Sequence, residues 1–527
     1  MNTKAIALVV VGLLVGLAVL LVVTKPDSPA GEGTLIYART DDSTTLDPQE
    51  IEWGSDVKVA ENIYEGLVRF AQDPTQVEGV LAEKWEASPD GLAWTFHLRA
   101  DVRFQDGTEF DSSAVRFAFD RLLNASFPHA PKLRPYASMY EDLVQAVETP
   151  DSRTVVLRLA TPSPVFLYLL SIHPAMIPSP AAVQKFEKEG FARHPVGTGP
   201  YRLAEWKTRE KIVLERNDDY WGKRPALQKI VMVPVEDTQT AIQKLQSGEC
   251  HLIDLTSPAD VEEIAKTPDL TVAISASPNV AYLAFNMTAG RAAFPYNDIH
   301  FRRAVSYAID RKVLVDLVYY GQAVPAANIV PPILWRDAAP LPEYEYDLDK
   351  AKAELAQVAL PEGFVAEIWH PNFPRDYMPY PDRVAEFLKD QLAKIGLAVR
   401  VQSFDKGTYS TRYRDRAHPM CLLGWMADYP DADNFLGALL HGRAAGDNNI
   451  TFFDHPEFNR LVSEAASRVE WEERKPLYEA AVRIYRDEKP SLALVHTKRV
   501  FAMRKGVRFV PHPIDYRIYQ ASLEPGE

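Results

Sequence analysis

Apolar and polar positions alternate along this chain with two distinct periods. Trp94, Phe96 and Leu98 are apolar and separated by Thr95, His97 and Arg99, and residues 155–159 repeat that period of two, so both stretches are expected to be half-buried strands. Val115, Ala118, Phe119 and Leu122 recur instead at helical spacing, just after Asp111, Ser112 and Ser113, whose side chains can cap a helix start. The helical period returns at Phe301, Ala304, Val305, Ala308 and Ile309, and again at Val384, Phe387, Leu388, Leu392 and Ile395. Gly396 is suited to a left-handed stop for that last helix, and residues 397–401 then read as a strand. Two further amphipathic helices are expected over 458–469 and 477–485, joined through 471–476. The pattern is mixed α/β, with neither regular βαβ repetition nor an internal repeat. Residues 325–342, the most proline-dense interior stretch, are expected to be an ordered surface loop.

One segment fits neither period. Residues 5–23 are unbroken apolar or glycine, long enough to span a bilayer and longer than the apolar part of most signal peptides. Export is therefore expected, with residues 1–30 acting as a signal peptide or an N-terminal membrane anchor. Length favours a retained anchor tied to the cytoplasmic membrane, while Ser28 and Ala30 leave cleavage after Ala30 open. No cysteine stands near the end of the run, so a lipid-modified terminus is excluded. The remaining length, within a total of 527 residues, calls for two or more lobes. A net charge of −14 without any Lys/Arg-rich patch excludes nucleic acid as a partner. Cys250 and Cys421 are the only cysteines, each at the edge of an apolar stretch, and are expected to be buried thiols, with a disulfide as the alternative.

Catalytic patterns are missing. There is no Gly-x-Ser-x-Gly elbow, His-Glu-x-x-His helix, Cys-x-x-Cys pair or phosphate-cradling loop. Gly197-Thr198-Gly199 starts like a dinucleotide loop but runs into Pro200, so it reads as a turn. Of the twelve histidines, six precede proline (His173, His194, His370, His418, His455 and His512), a setting that disfavours helical metal-ligand pairs. Asn286-Met287-Thr288 and Asn449-Ile450-Thr451 fit a short glycosylation pattern. Neither an enzyme nor a cofactor is expected.

Residues 79–123 (GVLAEKWEASPDGLAWTFHLRADVRFQDGTEFDSSAVRFAFDRLL) strongly resemble the peptide-binding branch of the bacterial extracellular solute-binding proteins, family five. The likeness continues through Thr45-Leu46-Asp47-Pro48, residues 62–67 (NIYEGL), 196–221 (VGTGPYRLAEWKTREKIVLERNDDYW), 281–311 and 424–435 (GWMADYPDADNF). The resemblance implies an α/β two-lobed periplasmic-binding-protein fold, type II, with an extra inserted domain. Residues 31–75, 195–281 and 497–527 would form the first lobe, 76–194 the inserted domain and 282–496 the second lobe. It implies a monomeric receptor that closes by hinge motion around a short peptide and delivers it to an ABC permease driven by a separate ATPase. Nickel chelates, haem, opines and oligosaccharides are the alternative ligands within the fold, and a tethered chaperone or sensor is the alternative role.

A peptide offers a fixed ammonium and a fixed carboxylate, which a side-chain-tolerant site captures by charge. The place of Asp428 in GWMADYP matches the family position that binds a peptide's amino terminus. A turn or cap role is its competitor, and Asp433, directly before residues 434–440, fills the capping role better. Arg375, in Pro374-Arg375-Asp376-Tyr377, resembles in context the arginine by which dipeptide-binding members hold the carboxy terminus. Arg383, Arg412 and Arg414 are alternatives, and pairing with Asp376 is the bland reading of Arg375. Trp425 and Tyr429 flank Asp428 and are candidates for walling a side-chain pocket.

Overall fold

The computed structural model describes residues 33–288, 294–336 and 342–524, apart from the side chains of 187–189. The apolar run 5–23 and the cleavage point at Ala30 lie outside these. Among the described residues no helix is long and apolar enough to cross a membrane.

A long strand, Ser491–Arg504, organises the molecule because it serves two half-sheets. Its C-terminal part pairs antiparallel with Leu270–Ala276 and Leu252–Asp254, and the sheet continues through Thr34–Arg39 and Lys229–Pro234 to the hairpin of Lys211–Arg216 and Tyr201–Lys207. Its N-terminal part pairs with Asn279–Phe285, beyond which lie Met420–Met426, Ala366–Pro371 and Val399–Phe404, the last three mutually parallel. Asn279–Phe285 is buried at every position, as the run NVAYLAF requires of a central strand covered on both faces. Each half-sheet packs a core on both of its faces, one pair around Leu35 and Ile36, the other around Leu283 and Tyr282. These are two lobes, joined where Ser491–Arg504 and the chain at 276–279 cross between them. A separate antiparallel sheet of Ala82–Ala87, Ala93–Leu98, Thr154–Leu159 and Val144–Asp151 has its own core around Phe96 and Phe119.

The lobes are in contact. Ser257 Oγ lies 2.9 Å from Tyr380 OH, Arg336 Nη2 donates to Tyr168 OH at 2.9 Å, and the Lys406 ammonium stands 5.0 Å from the Trp53 ring centre.

Most expected elements form, with informative shifts. The helix Ser112–Leu123 starts where the pattern places it, its Asp111 carboxylate accepting from Ser113 and Ala114 N–H groups. The helix Pro381–Ala393 is followed by Gly396 at φ +81°, but the strand after it begins at Val399, because Leu397 is buried against the core instead of joining the ladder. The joint expected at 471–476 is helical: a single helix, Trp471–Glu488, runs through Pro476. Pro476 removes one backbone donor, yet buried Trp471 and Arg474 lie before it and buried Tyr478 after it, and their packing holds the helix continuous. The proline-dense stretch departs further from its expectation. Ala326, Ile329, Val330, Leu334 and Trp335 are buried in the second lobe, so its described part is core and not a surface loop. Proline there fixes an irregular backbone whose apolar side chains still fill the interior.

Cys250 and Cys421 are both buried free thiols in different lobes, and burial pushes the Cys250 thiol up to about 12. Asn286 and Asn449 are buried, their amides donating to backbone carbonyls, which leaves neither available to a glycan in the folded chain. Gly197 and Gly199 form a close approach: a Cβ on either would sit 2.2 or 2.6 Å from the Ile63 carbonyl oxygen. His455 caps the helix Pro456–Ala466, and His512 ties residues 514–515 to Ala71; both serve the backbone.

Candidate ligand cleft

Between the lobes lies a cavity of about 910 Å³. Trp53, Lys58, Asp254 and Tyr516 wall it from the first lobe, Arg375 and Met426 from the second, and Asn279 and Thr497 from the crossing between them. Its volume is near the upper end for sites that enclose a small ligand.

Arg375 follows the strand Ala366–Pro371 on a tight turn closed by two backbone hydrogen bonds with Met378, at 3.1 and 2.8 Å. Its guanidinium is 5.7 Å from the Tyr377 ring centre, and the described residues give it no ion-pair partner, Asp376 included. The other three arginines are occupied and do not line the cavity: Arg383 donates to Tyr320 OH at 2.7 Å, Arg412 stacks on Phe404 and Trp369, and Arg414 on Tyr413.

Asp428 follows Met420–Met426, the parallel neighbour of Ala366–Pro371, so both charged residues leave from the same edge of the sheet. Asn434 fixes the loop. Its side-chain oxygen accepts from the Asp428 N–H at 3.1 Å and from Trp425 Nε1 at 2.8 Å, and its amide reaches Asp428 Oδ2 at 3.5 Å. Burial raises the Asp428 carboxyl above the usual range, opposed by the Asn434 amide; no cation pairs with it among the described residues. Asp428 itself is not among the residues that line the cavity, whereas Met426, two residues before it, is. Burial together with the Asp428 and Glu52 charges pushes the Tyr136 phenol up to about 12.

Trp425 and Tyr429 are not cavity walls. Trp425 packs on the second-lobe core, while Tyr429 packs on the core of the separate four-stranded sheet. Asp433 does not cap: the N-cap of Asp433–Leu440 is Ala432, and Asp433 accepts from Tyr429 OH at 3.3 Å. Asp431 takes the capping role, accepting from Asp433 N–H at 2.9 Å while a fully buried Arg474 grips it with two bonds of 2.8 and 2.6 Å. A buried cluster that periodicity did not flag also borders the cleft: Asp254 accepts from Lys58 Nζ and Tyr37 OH, both at 2.5 Å. Lys58 lies amid Val57, Val59 and Ala60, and a charge on an apolar helical face was its only sequence signal.

The family model described as bacterial extracellular solute-binding proteins, family 5, matches residues 76–447. The chain is 31% identical to heme-binding protein A of Haemophilus influenzae over 92% of its own length and 91% of that protein. It is 30% identical to the dipeptide-binding protein of Escherichia coli, over 91% and 92% respectively. Among solved structures, the periplasmic binding protein DppA of Helicobacter pylori in complex with peptide STSA superposes with a TM-score of 0.76, 30% identity and coverage of 94% of this chain and 98% of that one.

Proposed function

Because the chain belongs to the bacterial extracellular solute-binding proteins, family 5, we propose that it is the receptor of an ABC importer, closing its two lobes around a short peptide. The observation that carries the reading is a charge arrangement. A buried carboxylate without a cation and an arginine without a carboxylate follow two neighbouring parallel strands, the arginine lining the cleft and the carboxylate standing two residues after its wall residue Met426. A peptide ammonium would supply the missing partner of Asp428, and a terminal carboxylate that of Arg375, whose planar fork meets both oxygens. Trp425 and Tyr429 act from behind, holding the Asp428 loop between the second-lobe core and the four-stranded sheet. The first lobe comprises 31–75, 195–281 and 497–527, the inserted domain 76–194 and the second lobe 282–496. The receptor works as a monomer without chemistry of its own, handing cargo to a permease powered by a separate ATPase.

Haem is the second reading, since a relative carries that name. No histidine or cysteine, the common protein ligands of haem iron, is among the residues lining the cleft. A thermal-shift series separates the readings. Di- to pentapeptides with free termini should raise the melting temperature, and amidating the carboxy terminus should remove much of the rise. Stabilisation by haem or a metal chelate with none by any peptide would refute the ligand assignment.

The apolar run of residues 5–23 and the extracellular character of the family support a location outside the cytoplasm, and we propose that the run stays attached as a tether. Membrane and soluble fractions should then both be scored by N-terminal sequencing. Intact residues 1–30 in the membrane fraction are expected; a soluble form starting at Gly31 would overturn the tether and leave the receptor role untouched.

A further inference from the structure

The two strands that connect the lobes lose their regular pairing with each other where they cross, although Asn279 still pairs with Met426 and residues 495–497 with Ala323–Pro325. Ala276 pairs with Lys498 on one side and Ala281 with Val495 on the other. In the gap between, a side chain takes over the ladder. Asn279 donates its amide to the Thr497 carbonyl at 3.2 Å and accepts from the Thr497 N–H at 2.9 Å, while His496 Nδ1 lies 2.6 Å from the Asn279 carbonyl. All three residues are buried. This knot is also wired to both candidate anchors. Thr497 Oγ1 donates to the Asp376 carbonyl at 3.1 Å, inside the turn that carries Arg375. Ala427 N–H, next to Asp428, donates to the Pro278 carbonyl at 2.9 Å, beside Asn279.

We propose that Asn279, His496 and Thr497 are positioning residues, a side-chain knot at the hinge that sets the closed angle of the lobes and ties both ligand-holding loops to it. Backbone pairing across the gap would stiffen the crossing into one sheet. Two hydrogen bonds from a single rotatable side chain hold the closed angle yet allow the lobes to part. Because Asn279 and Thr497 also line the cleft, a ligand seated there presses on the element that governs closure. The coupling to Arg375 and Asp428 rests on the peptide reading; the hinge role does not.

Small-angle X-ray scattering of the ligand-free protein tests the hinge. Asn279→Leu removes both bonds at similar volume and is expected to increase the radius of gyration beyond experimental error, with the far-UV circular dichroism unchanged. Asn279→Asp keeps the acceptor and loses the donor, so it should fall between, and it decides the matter if Asn279→Leu does not fold. Thr497→Val leaves the knot but cuts the bond to the Arg375 turn, and should release peptide severalfold faster at unchanged radius. Wild-type dimensions in both Asn279 variants would overturn the hinge role. Altered dimensions with no peptide bound by any form would keep the hinge and refute the peptide. Unchanged dissociation in Thr497→Val would overturn the coupling.

Discussion

Asp428→Asn is expected to weaken binding of a free-amino dipeptide or tripeptide by at least about 30-fold, because truncating one partner of a buried charge pair costs roughly 2–5 kcal/mol. The size follows from the surroundings of the carboxylate. Burial raises its pKa, and the long contact with the Asn434 amide compensates only in part, so an arriving ammonium finds a poorly stabilised anion. A pH signature comes with it. The pKa is raised in the free protein and would be lowered by the bound ammonium, so binding expels a proton in the interval between the two values. Affinity should therefore rise with pH through that interval and level off above the free-state pKa. Isothermal titration calorimetry at several pH values should show this slope in the wild type and lose it in Asp428→Asn. N-acetylated peptides should bind both proteins equally weakly. A wild-type response to N-acetylated peptide equal to that of the free amine would sink the assignment.

The second large effect concerns stability. Asp431→Ala would leave the Arg474 guanidinium buried beside the Tyr478 hydroxyl without its hydrogen-bonded carboxylate, Asp433 being the anion that remains nearby, and is expected to cost about 3–5 kcal/mol. Asp431 also receives the first N–H of the helix Asp433–Leu440, so the Asp428 loop loses its foundation in the same step. Replacing both members, as Asp431→Asn with Arg474→Met, should recover much of the loss, since an isolated buried charge is what destabilises. Thermal or urea unfolding read by tryptophan fluorescence checks both claims. A single variant within about 0.5 kcal/mol of the wild type, the margin typical of surface substitutions, would show that this pair does not hold the loop.

Regular periods were legible in the sequence wherever a helix or strand shows one face to a core. The capping set at Asp111 and the stop at Gly396 are local chemistry, visible without the fold. Pro476 misled because its local cost is set against tertiary burial of Trp471, Arg474 and Tyr478, which spacing does not reveal. Residues 326–335 misled likewise: proline argues for irregular backbone, but irregular backbone is compatible with a core when its side chains are apolar. At the site, Asp428 and Arg375 were named from sequence through family resemblance, whereas their placement at one sheet edge needed the parallel pairing of two strands some 50 residues apart. In the sequence Asp433 stands nearest the helix and so reads as its cap. Asp431 prevails since Arg474, 43 residues away, fixes its carboxylate beneath the helix start. Asn279 carried no signal at all, because a single amide replacing a ladder step has no periodicity.

A cleft that holds a short peptide by its two ends should carry that peptide with it. Native mass spectrometry of the protein isolated from its own cells, followed by release and sequencing of whatever is bound, needs no choice of test ligand. One or more masses of short peptides with free amino and carboxyl termini are expected, lost in Asp428→Asn; a porphyrin, metal chelate, opine or sugar in their place would refute the peptide.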